Sequence, residues 1–117
     1  MHDNSGGTFM WCNTPSLLGF NGVFRYNISQ NDGTRHGVFD WRPGHKGNQA
    51  YNNTIYHEAT GDTGKFMENG ATGMSDAKIF NNIFVNRGDI GDLDFIESEI
   101  DWERNIFTGY DELPENA

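Results

Sequence analysis

The chain has 117 residues and a mass of 13.2 kDa, which is enough for one domain, and its mean hydropathy is −0.71. No apolar run approaches the roughly 20 residues of a membrane-spanning helix, so we expect no membrane insertion. The formal net charge of −9 arises in residues 89–117, where ten acidic residues face Arg104 alone. The lack of a basic surface argues against nucleic acid as a partner, and the single cysteine, Cys12, excludes an intrachain disulfide.

The composition predicts an all-β fold. The sequence contains 15 Gly and 14 Asn, more than long helices tolerate. It also contains 9 Phe, 4 Tyr and 3 Trp, more aromatic residues than a disordered chain carries. A folded, turn-rich chain of short strands combines these two properties.

Four similar segments recur along the chain, and each contains an asparagine at the same place. They read FRYNI at 24–28, AYNNT at 50–54, IFNNI at 79–83 and WERNI at 102–106. Superposition aligns Asn27, Asn53, Asn82 and Asn105, at spacings of 26, 29 and 23 residues. The flanking columns are mostly apolar: Phe24, Ala50, Ile79 and Trp102 on one side, and Ile28, Thr54, Ile83 and Ile106 on the other.

A second apolar run recurs between these segments. It is centred on Phe9, Phe39, Phe66 and Phe95, at spacings of 30, 27 and 29 residues. Each repeat therefore contains at least two short strands separated by Gly, Asn or Asp corners. This alignment places Asp40 opposite Met10, Met67 and Ile96, and it places Glu68 and Glu97 one position later.

A period of 23–30 residues with Asn at a fixed corner predicts a parallel β-helix. Successive coils of this fold stack about 4.8 Å apart, so equivalent residues form columns. Asn suits a corner because it tolerates a left-handed backbone and because its amide can bond to the Asn above and below. We expect the Phe, Ile and Trp columns to face inward as the core, in four to five coils over residues 1–110. A β-sandwich with Asn-containing hairpins is the alternative.

The two ends of the sequence carry no segment that would cap a β-helix well. A terminal coil exposes its core and its unpaired backbone unless a polar or helical cap covers it. Residues 1–8 begin at a corner, and the acidic segment 111–117 is short and contains Pro114. We interpret 111–117 as a C-terminal tail or the truncated start of a further coil, and the chain as a monomeric internal piece of a longer β-helix.

Four strings carry a family resemblance: HDNSGG at 2–7, RYNISQNDG at 25–33, YNNTIY at 51–56 and FNNIFVN at 80–86. They resemble the coils of right-handed parallel β-helix proteins of the pectate-lyase-like superfamily, which includes many secreted bacterial polysaccharide lyases and glycoside hydrolases. The resemblance implies a right-handed coil, an extracellular or cell-surface location and a polysaccharide or oligosaccharide partner. The Arg-x-Pro-x-x-Arg, Asn-Thr-Asp and Gly-His-Gly motifs of well-known members do not occur, so no catalytic residue is carried over.

Two functions are consistent with this resemblance. The first is a fragment of a secreted carbohydrate-active protein that degrades a polysaccharide as a glycoside hydrolase or a lyase. The second is a non-catalytic β-helix scaffold or a glycan-binding segment of a cell-surface protein. Convergence of Asp40, Glu68 and either His36 or His45 on one groove would favour catalysis, whereas side chains that point to different faces would favour the scaffold.

A pair of carboxylates is the candidate catalytic centre. Asp40 and Glu68 lie on neighbouring coils, which would place their carboxyl groups about 5–10 Å apart, the range that glycosidic cleavage uses. His36 and His45 flank Asp40 in sequence and are candidates for proton transfer at the same site.

Three further residues of the segment 36–46 are candidates for substrate binding. The indole of Trp41 could stack on a sugar ring, Arg42 could hold a carboxylate through two hydrogen bonds, and Lys46 belongs to the same cluster of polar residues. The alternative is structural, with Asp40 and Arg42 paired on the surface and Trp41 covering the core.

The acidic stretch near the C-terminus is the candidate metal site. Calcium binds six to eight oxygens, and Asp92, Asp94 and Glu97 could supply several of them. We expect no other cofactor. A solvated acidic face is the alternative interpretation, because the regular spacing of a calcium-binding loop is missing.

Overall fold

The computed structural model describes residues 9–11, 21–31, 39–41, 46–58, 67–68, 75–88 and 100–117. These residues form eleven short β-strands and no helix. The strands are β1 (Phe9–Trp11), β2 (Val23–Arg25), β3 (Ile28–Gln30), β4 (Phe39–Trp41), β5 (Gln49–Tyr51), β6 (Thr54–His57), β7 (Met67–Glu68), β8 (Ala77–Phe80), β9 (Ile83–Asn86), β10 (Ile100–Glu103) and β11 (Ile106–Thr108). Nothing in the described ranges is helical and apolar enough to cross a membrane.

The strands form three parallel sheets, and strands next to one another in a sheet come from successive repeats. The sheet orders are β1-β4-β7, β2-β5-β8-β10 and β3-β6-β9-β11. Every strand pair within the described residues is parallel, which excludes the hairpins of the β-sandwich alternative there. The fold is all-β and consistent with a parallel β-helix-like architecture, as the repeat predicted.

The pairing register confirms both columns that flank the asparagines. In the second sheet, Phe24 pairs with Ala50, Ala50 with Ile79 and Ile79 with Trp102. In the third sheet, the residues that follow the asparagines pair in the same way: Ile28, Thr54, Ile83 and Ile106. Backbone register thus follows the spacing of the Asn column.

The predicted register of the first sheet is wrong by one residue at β7. Phe9 pairs with Phe39 as predicted, but Phe39 pairs with Met67 and not with Phe66. The prediction aligned Phe39 with Phe66 because both are aromatic. The backbone hydrogen bonds set the register instead, and they place Met67 opposite Phe39. Phe95 and Ile96, which continue the predicted alignment, lie outside the described residues.

Buried side chains from all three sheets form the core. The buried apolar residues are Phe24, Phe39, Ala50, Ile55, Ala77, Ile79, Phe84, Ile100 and Trp102. The rings of Phe39 and Phe84 meet edge to face, with centroids 6.1 Å apart, and so connect the first sheet to the third. Phe84 stacks on Phe107 of the next coil at 4.8 Å, so equivalent rings stack along the column.

The isoleucines after the asparagines do not face the core, contrary to the prediction. Ile28, Ile83 and Ile106 are 76%, 41% and 58% exposed. Successive residues of a strand point to opposite sides, and the next residue in each case points inward. Ser29, Ile55 and Phe84 occupy that inward position and are buried.

The corners differ from the prediction in which residue takes the left-handed backbone. Tyr26, Asn52, Asn81 and Arg104 have positive φ angles of 54–57°. Each of them directly precedes an asparagine of the column, and the column residues themselves are not left-handed. Conformational tolerance therefore does not explain why asparagine recurs in the column.

Hydrogen bonding explains the recurring asparagine instead. The Nδ2 of Asn27 donates to Oδ1 of Asn53 at 3.1 Å. The same bond joins Asn53 to Asn82 and Asn82 to Asn105, at 2.9 Å each. The backbone N–H of each of these three donors also bonds to the Oδ1 atom that accepts from its side chain. The distance is 3.0 Å for Asn27 to Asn53, for Asn53 to Asn82 and for Asn82 to Asn105.

Candidate functional site

The predicted catalytic pair occupies facing positions on two adjacent strands. Asp40 of β4 pairs with Met10 of β1 on one side and with Glu68 of β7 on the other. The prediction had placed Glu68 one position further on, so the observed register brings the two acidic positions into direct alignment. Neighbouring strands lie about 4.8 Å apart, which is the separation of these two backbone positions.

The other predicted residues of this site are only partly described. Trp41 is the register partner of Trp11, next to Asp40 in β4. His36, Arg42 and His45 lie outside the described residues. Lys46 is exposed, and its Nζ lies 3.5 Å from Oδ2 of Asp76, so its ammonium group pairs with a carboxylate of the following coil.

The predicted calcium ligands Asp92, Asp94 and Glu97 also lie outside the described residues. Within the part of the chain that the structure describes, no three His, Cys, Asp or Glu side chains come close enough to hold a metal ion.

The outer side of the second sheet presents a second set of candidate side chains, which the sequence alone did not single out. The buried column of this sheet alternates with outward residues on either side. One outward column consists of Val23, Gln49, Lys78 and Asp101, and the other consists of Arg25, Tyr51, Phe80 and Glu103. Strand alternation around the Asn column was the sequence signal that could have identified them.

Three aromatic rings, which we call the aromatic stack, lie together on this side of the sheet. Tyr51 and Phe80 are stacked with centroids 4.7 Å apart and planes 12° apart, and Tyr26 meets Tyr51 edge-on at 6.3 Å. The guanidinium of Arg25 lies 5.6 Å from the Tyr26 ring and 6.0 Å from the Tyr51 ring. Its Nη1 also donates to the Tyr51 hydroxyl at 3.1 Å, so the cation is held on the stack.

A pocket of about 300 Å³ adjoins Phe80, and we call it the Phe80 pocket. Its lining comes from β8, from β10 and from the C-terminal residues 115–116. Its lining consists of Lys78, Phe80, Ile100, Asp101, Trp102, Glu103, Glu115 and Asn116. The pocket thus combines aromatic surface with three carboxylates, one ammonium group and one amide. Beside the pocket, the Glu103 carboxylate pairs with Nη2 of Arg104 at 3.0 Å.

The class that the fold defines is an all-β protein of parallel strands paired in register from repeat to repeat. Over 85 residues the chain is 41% identical to a lacto-N-biosidase of Bifidobacterium longum subsp. longum. The alignment covers 73% of this chain and 5% of that protein, so the chain spans about a twentieth of its relative's length. No protein-family model matches the chain. No solved structure matches it at a significant level either.

Proposed function

We propose that the chain is part of a carbohydrate-active protein that cleaves an oligosaccharide or polysaccharide as a glycoside hydrolase. The observation that carries this proposal is the 41% identity to a lacto-N-biosidase, a glycoside hydrolase, over 73% of the chain. This relative favours hydrolysis over the lyase reaction that the sequence also allowed. The proposal includes a right-handed, pectate-lyase-like β-helix that works outside the cell or at its surface.

Strand pairing across the repeats supports an extended binding surface. Equivalent positions repeat along each sheet at about 4.8 Å, so a column presents its outward side chains along a line. An extended glycan offers hydroxyl groups along a line as well. The hydrogen bonds between the Asn27, Asn53, Asn82 and Asn105 amides act in this proposal as the structural ladder that fixes the coils in register.

Asp40 and Glu68 are the proposed catalytic carboxyl groups. Glycosidic cleavage uses one carboxylic acid to protonate the leaving-group oxygen, while a second carboxylate activates water or attacks the anomeric carbon. The alignment of these two positions on adjacent strands supports such a pair. His36 and His45 would assist proton transfer, and Trp41, Arg42 and Lys46 would bind the substrate.

Amide variants of the two acids test this proposal. The 117-residue chain is assayed for release of p-nitrophenol from p-nitrophenyl lacto-N-bioside and for release of reducing ends from a panel of neutral oligosaccharides. Asp40→Asn and Glu68→Gln should each lower kcat by about 10²–10⁴-fold, because an amide neither gives nor takes the proton. Glu58→Gln, an exposed acid beyond the end of β6, is the matched control and should keep wild-type activity.

Two results would contradict the catalytic assignment. An active chain that tolerates both amide variants would remove Asp40 and Glu68 from the mechanism. A chain that releases no product from any substrate would favour the second candidate function, a non-catalytic scaffold or glycan-binding segment of a cell-surface protein. The aromatic stack is the observation that favours this second function, because it places aromatic rings on an outer surface with the 70%-exposed ring of Tyr26 at one end.

A further inference from the structure

We infer that the Phe80 pocket binds one ring of an uncharged sugar. The choice of a sugar rests on the proposed function, whereas the position, size and charge preference rest on the pocket itself. This site is distinct from the proposed catalytic pair, because it lies on the second sheet and Asp40 and Glu68 lie on the first.

The size of the pocket suits a small ring. Its volume of about 300 Å³ is at the lower end of the roughly 300–1,000 Å³ found for small-molecule sites. A pocket of this size accommodates one monosaccharide unit and leaves the rest of a glycan along the outer surface of the sheet.

Phe80 supplies the apolar surface that a sugar ring needs. One face of its ring is covered by Tyr51 of β5, at a centroid distance of 4.7 Å. Because β5 and β10 flank β8 on opposite sides, the other face of the ring is turned toward Glu103, its register partner on β10, which also lines the pocket. The electron-rich face of an aromatic ring attracts the weakly positive C–H groups of a sugar.

The polar lining suits hydroxyl groups. The carboxylates of Asp101, Glu103 and Glu115 accept hydrogen bonds, whereas the Lys78 ammonium donates and the Asn116 amide can do both. These carboxylates do not converge closely enough to form a metal site among the described residues. Hydroxyls can therefore bond to them separately around the rim of a ring.

The charge of the lining disfavours acidic sugars. Asp101, Glu103 and Glu115 line the pocket with Lys78, and Arg104 pairs with Glu103 beside it, so the site is acidic by one charge and a bound uronate would add a further negative charge. Repulsion of this kind gives selectivity against the charged analogue. The pocket is thus suited to a neutral glycan and not to a pectate-like polyuronate.

Galactose and galacturonic acid form a matched pair of probes, because they differ at C6 as alcohol and carboxylate. Each is titrated into the ¹⁵N-labelled chain up to tens of millimolar, beside methyl glycosides of glucose and N-acetylglucosamine, while amide shifts are followed by NMR. At least one neutral sugar should shift the amides of Lys78, Phe80 and Asp101, and galacturonic acid should bind at least tenfold more weakly than galactose.

Two variants separate the pocket from the rest of the aromatic stack. Phe80→Ala should weaken neutral-sugar binding about tenfold, through loss of the stacking surface. Tyr26→Ala, which removes a ring of the same stack that does not line the pocket, should leave binding unchanged. Asp101→Asn, which keeps the stack intact, should reduce the preference for galactose over galacturonic acid.

The inference is overturned if no neutral sugar shifts the pocket amides, if galacturonic acid binds as tightly as galactose, or if Tyr26→Ala weakens binding as much as Phe80→Ala. Its failure is distinguishable from failure of the proposed function. If Asp40→Asn loses hydrolysis but no sugar binds at Phe80, the sugar-binding role of the pocket is rejected and the catalytic assignment stands. Sugar binding at Phe80 in a chain that hydrolyses nothing would support the pocket and reject the catalysis.

Discussion

At the scale of single residues, the asparagine column shows why one residue type recurs at one place. Asn53 donates from Nδ2 to Asn82 Oδ1 and to the Phe24 carbonyl, and its Oδ1 accepts from Asn27. A primary amide provides both donor and acceptor, whereas a carboxylate would provide acceptors only. An aspartate in the column would therefore lose the donor that each side chain directs to the next coil.

Replacing Asn53 by Leu should lower the free energy of unfolding by about 1–3 kcal/mol, because buried partners on two coils lose their bonds. Asn27→Leu is the matched control, since Asn27 is half-buried and water can replace part of what its amide provides. Urea denaturation of both variants measures the difference. An unchanged free energy of unfolding in Asn53→Leu would show that the bonds within the column do not stabilise the fold.

Residue identity predicted the column but not the direction of every side chain. The four asparagines stand out by spacing alone, whereas the left-handed positions before them hold Tyr26, Asn52, Asn81 and Arg104, three residue types with no common signal. The exposed isoleucines were mispredicted for a related reason. Apolar side chains contribute much of the surface of any folded protein, so hydrophobicity alone does not assign Ile28 or Ile106 to the core.

At the scale of elements, two sheets could be aligned from the sequence and the first only in part. The second and third sheets meet at the asparagine corner, where only two residues separate β2 from β3. Aligning the asparagines therefore sets the register of both sheets together. The first sheet has no such marker, and longer segments separate its strands from the corner. The one-residue error at β7 arose there, and correcting it aligned Asp40 with Glu68.

The sequence also predicted only part of the candidate functional surface. Clustering of chemically active residues identified Asp40 and the alignment of the repeats identified Glu68, and the fold places these two positions side by side in the backbone. The Phe80 pocket was missed because its lining comes from two strands more than twenty residues apart and from the C-terminal segment. Lys78, Asp101 and Glu115 become neighbours only when the coils stack.

The C-terminal element gives a prediction about alkaline pH. Tyr110 packs edge-on against Phe107 at 5.5 Å and lies against the core, and burial raises the pKa of its hydroxyl above the usual value. The unfolded chain therefore releases this proton first, near pH 10, while the folded chain keeps it. Stability from this group is complete below about pH 10 and is lost as the pH rises above it.

Thermal unfolding at pH 8 and at pH 11 measures this effect. Tyr110→Phe has no hydroxyl to ionise, so its Tm should fall less between the two pH values than that of the wild type. Tyr26→Phe, which changes an exposed ring, should behave like the wild type. An equal fall in Tm for the wild type and Tyr110→Phe would show that ionisation of Tyr110 does not cause the loss of stability at alkaline pH.

At the scale of the whole molecule, the two outer faces of the described sheets differ in chemistry. The third sheet turns outward only uncharged side chains: Ile28, Gln30, Thr54, Tyr56, Ile83, Val85, Ile106 and Thr108. The second sheet carries the charged side chains and the aromatic stack instead. The proposed glycan surface therefore lies on the first two sheets, with cleavage assigned to the first and ring binding to the second.

Nuclear Overhauser effects on the ¹⁵N-labelled chain test most directly whether the coils stack in register. We predict cross-peaks that connect the side-chain amide protons of Asn27 with those of Asn53, Asn53 with Asn82, and Asn82 with Asn105, although these residues are 23–29 positions apart. Absence of these contacts, together with the close Hα–Hα pairs of antiparallel strands, would contradict the parallel stacking on which the proposed site and the Phe80 pocket depend.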